Sequence, residues 1–253
     1  MTETITLTFG DCGENHRGME MIGEQAEAGI SVSMLEDLAE CLREGQNPGP
    51  HIQEEIELIN LGGNDLPEAK LLIIRNGVTQ FIGRSPDSLF AEQRSFEWDT
   101  KAFMYGRVVN KHARHNVCFN HLDQEPDYEN KKGRVISFEH APLMTELKEA
   151  IEALIGVENL IVEGNRYYDV SKCGIGYHGD TERRIVVGCR LGASMPLHYQ
   201  WYLDNKPIGE NIEITLNHGD IYLMSEKAVG FDWKRKVIPT LRHAAGSVKF
   251  TKL

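Results

Sequence analysis

The sequence predicts an α+β protein whose core is an antiparallel β barrel or sandwich. Three observations predict it. From residue 160 onward, short runs rich in β-branched and aromatic residues are separated by turn residues. Two segments, 34–43 and 142–154, carry apolar residues at helical spacing. Residues 1–83 are acidic and read as a small α/β extension, which sets expected boundaries of 1–83 and 84–253.

Ile5-Thr6-Leu7-Thr8-Phe9 alternates as a strand does and stops at Gly10. Asp11 to Gly18 is a polar turn, in which Asp11, Glu14 and His16 read as turn and cap residues in preference to metal ligands. Residues 18–28 have helical character. Ser33 is placed to cap a helix over 34–43, with Leu35, Leu38 and Leu42 on one face, Glu36 at the third position and Gly45 as the stop. Residues 46–50 make a loop. Ile56–Leu61 and Lys70–Ile74 are apolar strand candidates, the second closing in a turn at Asn76-Gly77. Residues 84–100 read as loop and short helix, 103–109 as one strand, 112–119 as a second segment, and 120–134 as an exposed charged loop. In 142–154, Leu143, Leu147, Ile151 and Leu154 share a face, with Glu146, Lys148, Glu149 and Glu152 elsewhere, so this helix braces the outside of the β core.

The β core is then expected from runs at 160–168, 184–192, 197–202, 212–216 and 220–224, with a last strand over Gly246–Thr251. The fourth and fifth runs are joined by Asn217-His218-Gly219, a hairpin signal that assigns His218 to a turn. On 197–202, one alternating set, His198, Gln200 and Tyr202, either faces the interior of the barrel or packs in the core.

Charge is unevenly placed along the 253 residues. Residues 1–70 carry fifteen acids against three bases, whereas the remaining 183 carry 23 acids and 24 bases, so the net charge of −11 belongs to the front. That front is a candidate surface for an unidentified partner. Lys101, Arg107, Lys111 and Arg114 form a modest acid-free basic patch, either a solvated loop or a phosphate contact. No apolar run approaches the roughly 18 residues of a membrane span, and no basic-then-apolar leader opens the chain. The five Cys form no CxxC pair, which argues for reduced thiols and against a structural zinc site. A cytoplasmic or nuclear setting is expected.

The chemistry centres on Tyr177-His178-Gly179-Asp180 and Leu241-Arg242-His243. Two His and one carboxylate bind one face of an Fe(II) ion and leave the other positions open. Residues i and i+2 of a strand share a side, so His178 and Asp180 suit one metal, with His243 supplied from elsewhere by folding. His112, His115 and His121 are loosely spaced and lack carboxylates in register.

The order Asn165-Arg166-Tyr167, His178-Gly179-Asp180-Thr181-Glu182, a strand ending Leu191-Gly192, His218-Gly219-Asp220 and a final His resembles the AlkB-like Fe(II)/2-oxoglutarate dioxygenases over roughly residues 100–253. The resemblance implies a double-stranded β-helix (jelly-roll) core, Fe(II) on His178, Asp180 and His243, and 2-oxoglutarate held by Asn165 and Tyr167. It implies a substrate lid near 101–121 containing Tyr105, Arg107 and Arg114, and a nucleobase or nucleotide as substrate. The family's two Arg of the last strand are missing here, leaving Arg190, Lys249 and Lys252 as candidates for the far carboxylate of 2-oxoglutarate. Oxidation of a protein side chain or small molecule, and a non-catalytic jelly-roll binding module, stand as the alternatives.

Overall fold

In the computed structural model, residues 2–44, 56–63 and 65–253 are described, and these form sixteen strands and six α-helices. The front half runs β1 (Thr4–Gly10), β2 (Cys12–Glu14), β3 (Met21–Gly23), α1 (Val32–Arg43), β4 (Ile56–Asn60), β5 (Lys70–Ile74), α2 (Gly77–Ile82) and α3 (Pro86–Arg94). It continues through β6 (Lys101–Met104), β7 (Arg107–Asn110), β8 (His115–Asn120), β9 (Val135–Ser137) and α4 (Pro142–Ile155). The back half runs β10 (Ile161–Tyr167), β11 (Gly174–His178), β12 (Val187–Gly192), β13 (Met195–Leu203), β14 (Lys206–Leu216) and β15 (Ile221–Met224). It ends in α5 (Glu226–Val229), β16 (Thr240–Gly246) and α6 (Val248–Thr251).

Most strands belong to two sheets. One has eight strands in the order β4-β5-β15-β12-β1-β10-β8-β9, and the other four in the order β11-β16-β13-β14. Pairing is antiparallel except between β8 and β9. The eight-stranded sheet packs apolar residues on both of its sides. Ile5, Leu7 and Phe9 of β1, with Leu72, Ile74, Val187 and Leu191, pack under Leu35, Leu42, Leu89, Met144, Leu147 and Ile151 of α1, α3 and α4. On the other side, Leu71, Ile73, Tyr222 and Met224 meet Leu197, Tyr199, Trp201 and Leu241 of the four-stranded sheet. Truncating any one fully buried Leu of these layers to Ala costs about 2–5 kcal/mol. Among the described residues, no helix is long and apolar enough to cross a membrane. None of the cysteines is in a disulfide; Cys41 is exposed and the other four are buried.

Several expectations are corrected. The boundary at residue 83 does not divide the sheet, since β1, β4 and β5 are hydrogen-bonded into it beside β10, β12 and β15. Residues 18–28 contain the strand β3 and no helix. The cap of α1 is Ser31, whose Oγ accepts from Met34 N at 3.0 Å, so the helix starts ahead of the Ser33 expected for that role. Gly45 and the loop at 46–50 lie outside the described residues. Asn76-Gly77 opens the helix α2. The single strand expected over 103–109 is a hairpin of β6 and β7, folded back at Tyr105 and Gly106, both at positive φ. On α4, Lys148 is buried beside Glu152 and over the Phe138 ring, its aliphatic stem packed with the core. The turn at 217–219 joins strands of different sheets, carrying the chain across the sandwich in place of the expected hairpin. His218 is a turn residue as read, its Nδ1 accepting from Gly192 N at 2.9 Å. On β13 it is Leu197, Tyr199 and Trp201 that face the other sheet, so the set His198, Gln200 and Tyr202 takes the opposite side. Residues 248–251 form α6, and no strand follows β16. The position between β10 and β12 is filled by β1.

Candidate metal centre

His178 ends β11, and β16 pairs with that strand in a register that sets His178 opposite His243. The two imidazoles meet edge to face with centroids 4.4 Å apart. Asp180 follows just beyond the strand. Its Oδ1 lies 3.3 Å from His178 Nε2 and 3.8 Å from His243 Nε2. Gly179 between them is required by close approach: a Cβ there would meet the Gly230 carbonyl oxygen at 2.1 Å and Trp233 Cβ at 2.8 Å.

The protonation states favour ligation. His178 Nδ1 lies 2.8 Å from the Gly176 carbonyl, which only accepts, so Nδ1 carries a proton and Nε2 is the nitrogen turned toward Asp180 and His243. Burial, reinforced by His178, pushes the His243 pKa down to about 4, keeping its imidazole neutral. The Asp180 carboxylate, and after it the Ala228 carbonyl, pull the other way without outweighing burial. For Asp180, burial raises the pKa, but the His178 contact and the Arg183 guanidinium outweigh it and hold the carboxyl far below the usual range. The imidazole nitrogens of His178 and His243 and a carboxylate oxygen of Asp180 therefore lie within 4.8 Å of one another, a set of donor atoms that could hold a cation. His178, Asp180 and His243 are the one such group of three among the described residues. His112, His115 and His121 do not form one.

The group opens into a cavity of about 280 Å³ between the two sheets. Asn165, Tyr167, Arg190 and Arg114 line it, whereas Lys249, Lys252, Tyr105 and Arg107 do not. Lys249 lies on α6, and Lys252 follows it because the chain turns into a helix where a strand was expected. Tyr105 sits at the hairpin tip, 92% exposed, with Arg107 beside it. Asn165 reaches the cavity with a committed amide: Oδ1 accepts from Arg114 Nε and Asn116 Nδ2, each at 2.6 Å, and Nδ2 donates to Glu163 at 2.9 Å.

Arg190 differs from every other cation of the site. It is 1% exposed, its Nη1 donates to Thr6 Oγ1 at 2.7 Å, and its Nε has no partner. Among the described residues no carboxylate lies within ion-pair distance of it. A buried guanidinium without a counter-charge marks a place for an anion.

Glu14 and His16, read from the sequence as turn residues, line the cavity, as do Thr6, Thr8, Glu163, Glu182, Arg183, Tyr222 and Trp233, which were not picked out from the sequence. A signal existed for some of them. Glu182 and Arg183 directly follow Asp180, and Thr6 and Thr8 are the polar face of an alternating strand. Alternation alone assigns that face to solvent, but β1 is central and its polar face turns to the cavity.

Fold and site together define a mixed α+β protein, strand-rich, with two facing sheets and a His-Asp-His group suited to one metal ion. No protein-family model matches the chain. An uncharacterized protein of Acanthamoeba polyphaga mimivirus is 48% identical over 250 residues, spanning 99% of this chain and 98% of its own length. The chain belongs to the family of that mimivirus protein.

Proposed function

We propose that this protein is an Fe(II)- and 2-oxoglutarate-dependent dioxygenase with a jelly-roll core, AlkB-like, that hydroxylates or demethylates a nucleobase or nucleotide. The observation that carries the reading is the pairing of the His178-Asp180-His243 group with the unpaired Arg190 in one cavity. A facial triad leaves positions for a bidentate co-substrate, and Arg190 supplies the cation for that molecule's distal carboxylate. Strand order supports the jelly roll. With β10 counted first and β1 eighth, one sheet contains first-eighth-third-sixth, facing second-seventh-fourth-fifth, the order of two interleaved Greek keys. In this view β1 takes the place of a final strand, which is why no basic residue after His243 lines the cavity.

Bound together, Fe(II) and 2-oxoglutarate supply oxidation of an unactivated C–H bond. The chain's own residues do the rest. His178, Asp180 and His243 hold the metal, with Nδ1 of His178 fixed by Gly176. Arg190, held by Thr6, orients the co-substrate, and Tyr167 walls the cavity beside them. Arg17, Arg114 and Lys234 line the cavity as cations and suit a phosphate-bearing substrate. Glu14, Glu163 and Glu182 line it as well, and these favour the second reading, an oxygenase for a protein side chain or small molecule carrying donors.

The test is succinate formation from 2-oxoglutarate by purified protein with Fe(II) and ascorbate. Turnover in the wild type that disappears in His178→Ala and Asp180→Ala supports the oxygenase. Absence of both turnover and Fe(II) or Mn(II) binding replaces it with a non-catalytic binding module. Stimulation by methylated single-stranded oligonucleotides, weakening with salt, separates the nucleic-acid substrate from the alternative.

A further inference from the structure

Arg183 is the most heavily engaged cation beside the metal group. Its side chain is 4% exposed, and three carboxylates surround it. Nη2 donates to Glu163 Oε2 and, at 3.0 Å, to Glu182 Oε1, while Nε lies 3.2 Å from Glu182 Oε1 and 3.6 Å from Asp180 Oδ2. Asp180 is thereby divided. Its Oδ1 faces the two imidazoles and its Oδ2 faces the guanidinium.

That division matters for a metal site with open positions. A carboxylate free to turn presents both oxygens to a cation and takes two positions, whereas one whose second oxygen is held elsewhere takes one. Arg183 is itself held in place from the opposite sheet. Glu163 of β10 fixes it and is in turn bonded by Asn165, whose Oδ1 collects Arg114 and Asn116. Lys111 closes the network through Asn116 Oδ1 and the Asn15 carbonyl, the residue before His16 and Arg17 at the cavity. A planar guanidinium on three carboxylates has a set orientation that a flexible ammonium does not reproduce.

We infer that Arg183 is a positioning residue: it restrains Asp180 to one metal-binding oxygen, and so keeps a coordination position open that a two-oxygen Asp180 would close. This rests on the metal-centre reading above. The experiment is a Mn(II) titration of wild type, Arg183→Met and Arg183→Lys, followed by counting metal-bound water from the broadening of the Mn(II) paramagnetic resonance lines in oxygen-labelled water. Melting of the metal-free proteins is measured alongside. The expected result is one bound water fewer than wild type in Arg183→Met, with Mn(II) binding no weaker because Asp180 gains a ligating oxygen and a neighbouring cation is lost, and a smaller change in Arg183→Lys. A loss of fold alone would move the melting temperature without changing the water count. A wild-type water count in Arg183→Met overturns the inference, and where that variant does not fold, a wild-type count in Arg183→Lys overturns it. Failure of the wild type itself to bind Mn(II) instead removes the metal-centre reading on which the inference stands.

Discussion

Replacing Arg190 by Met separates binding from stability. In the folded chain the guanidinium is fully buried, has one hydrogen bond to the neutral Thr6 hydroxyl and faces no carboxylate among the described residues. Losing that bond costs about 1 kcal/mol. Removing a buried, uncompensated cation returns several kcal/mol of desolvation, and Met fills most of the aliphatic volume. The net expectation is a gain of about 2 kcal/mol, which for a chain of this size raises Tm by roughly 4–8 °C. Under the proposed function, affinity for 2-oxoglutarate goes the other way. Loss of a buried charge partner costs at least about 2 kcal/mol, or roughly 30-fold in Kd. Calorimetric titration of the Mn(II)-loaded protein with 2-oxoglutarate reads the second effect, and a thermal melt of the metal-free protein reads the first. Mn(II) affinity itself should stay within about threefold, because Arg190 touches none of the three ligands. An unchanged 2-oxoglutarate affinity refutes the anchor, and a large fall in Tm refutes the claim that Arg190 is an unpaired charge held for a ligand.

Three further expectations follow from particular residues. Gly179→Ala forces the chain off the Gly230 carbonyl, which a Cβ would meet at 2.1 Å, and so moves His178 against Asp180; Mn(II) affinity should fall by about tenfold or more, as measured by equilibrium dialysis. Burial pushes the Lys111 pKa down from 10.5 to about 8, so between those values the unfolded chain binds the extra proton. Stability from this group is therefore greatest above pH 10.5 and is lost as pH falls to 8, a change of about 3 kcal/mol; urea unfolding across that window should show a slope that Lys111→Met flattens. Deleting residues 2–10 strips β1 from between β10 and β12 and removes Ile5, Leu7 and Phe9 from the buried cluster that includes Leu89, Met144 and Leu147; the product should lack a cooperative thermal transition in calorimetry.

The parts of this fold legible in the sequence are those fixed by local pattern. The alternation of β1, the helical face of α4 and the His178-Asp180 spacing are each set by side-chain periodicity within a few residues. Long-range pairing was not legible. Nothing in Ile5-Thr6-Leu7-Thr8-Phe9 indicates that its partners are residues 161–167 and 187–192, and so Thr6 and Thr8 were not recognised as cavity residues. The same limit applies to the anchors. Lys249 and Lys252 follow His243 closely in sequence, but proximity along the chain gives no access to the cavity once Ser247 turns it into α6. Arg190 was among the candidates, and what singles it out is the absence of a counter-charge around it, a property only the folded surroundings define.

The seat of β1 also governs when the site can come into being. Its register partners, Tyr167 on one side and Gly192 on the other, lie more than 160 residues further along. At about 5–20 residues per second of synthesis, these seven residues wait on the order of ten seconds or more beside the ribosome with Ile5, Leu7 and Phe9 uncovered. Neither wall of the cavity exists before then, and His243 emerges later still. Non-local pairing of this kind is slow to form. The His178-Asp180-His243 group is therefore among the last parts of this chain to assemble, after an interval in which the apolar strand β1 lacks its partners.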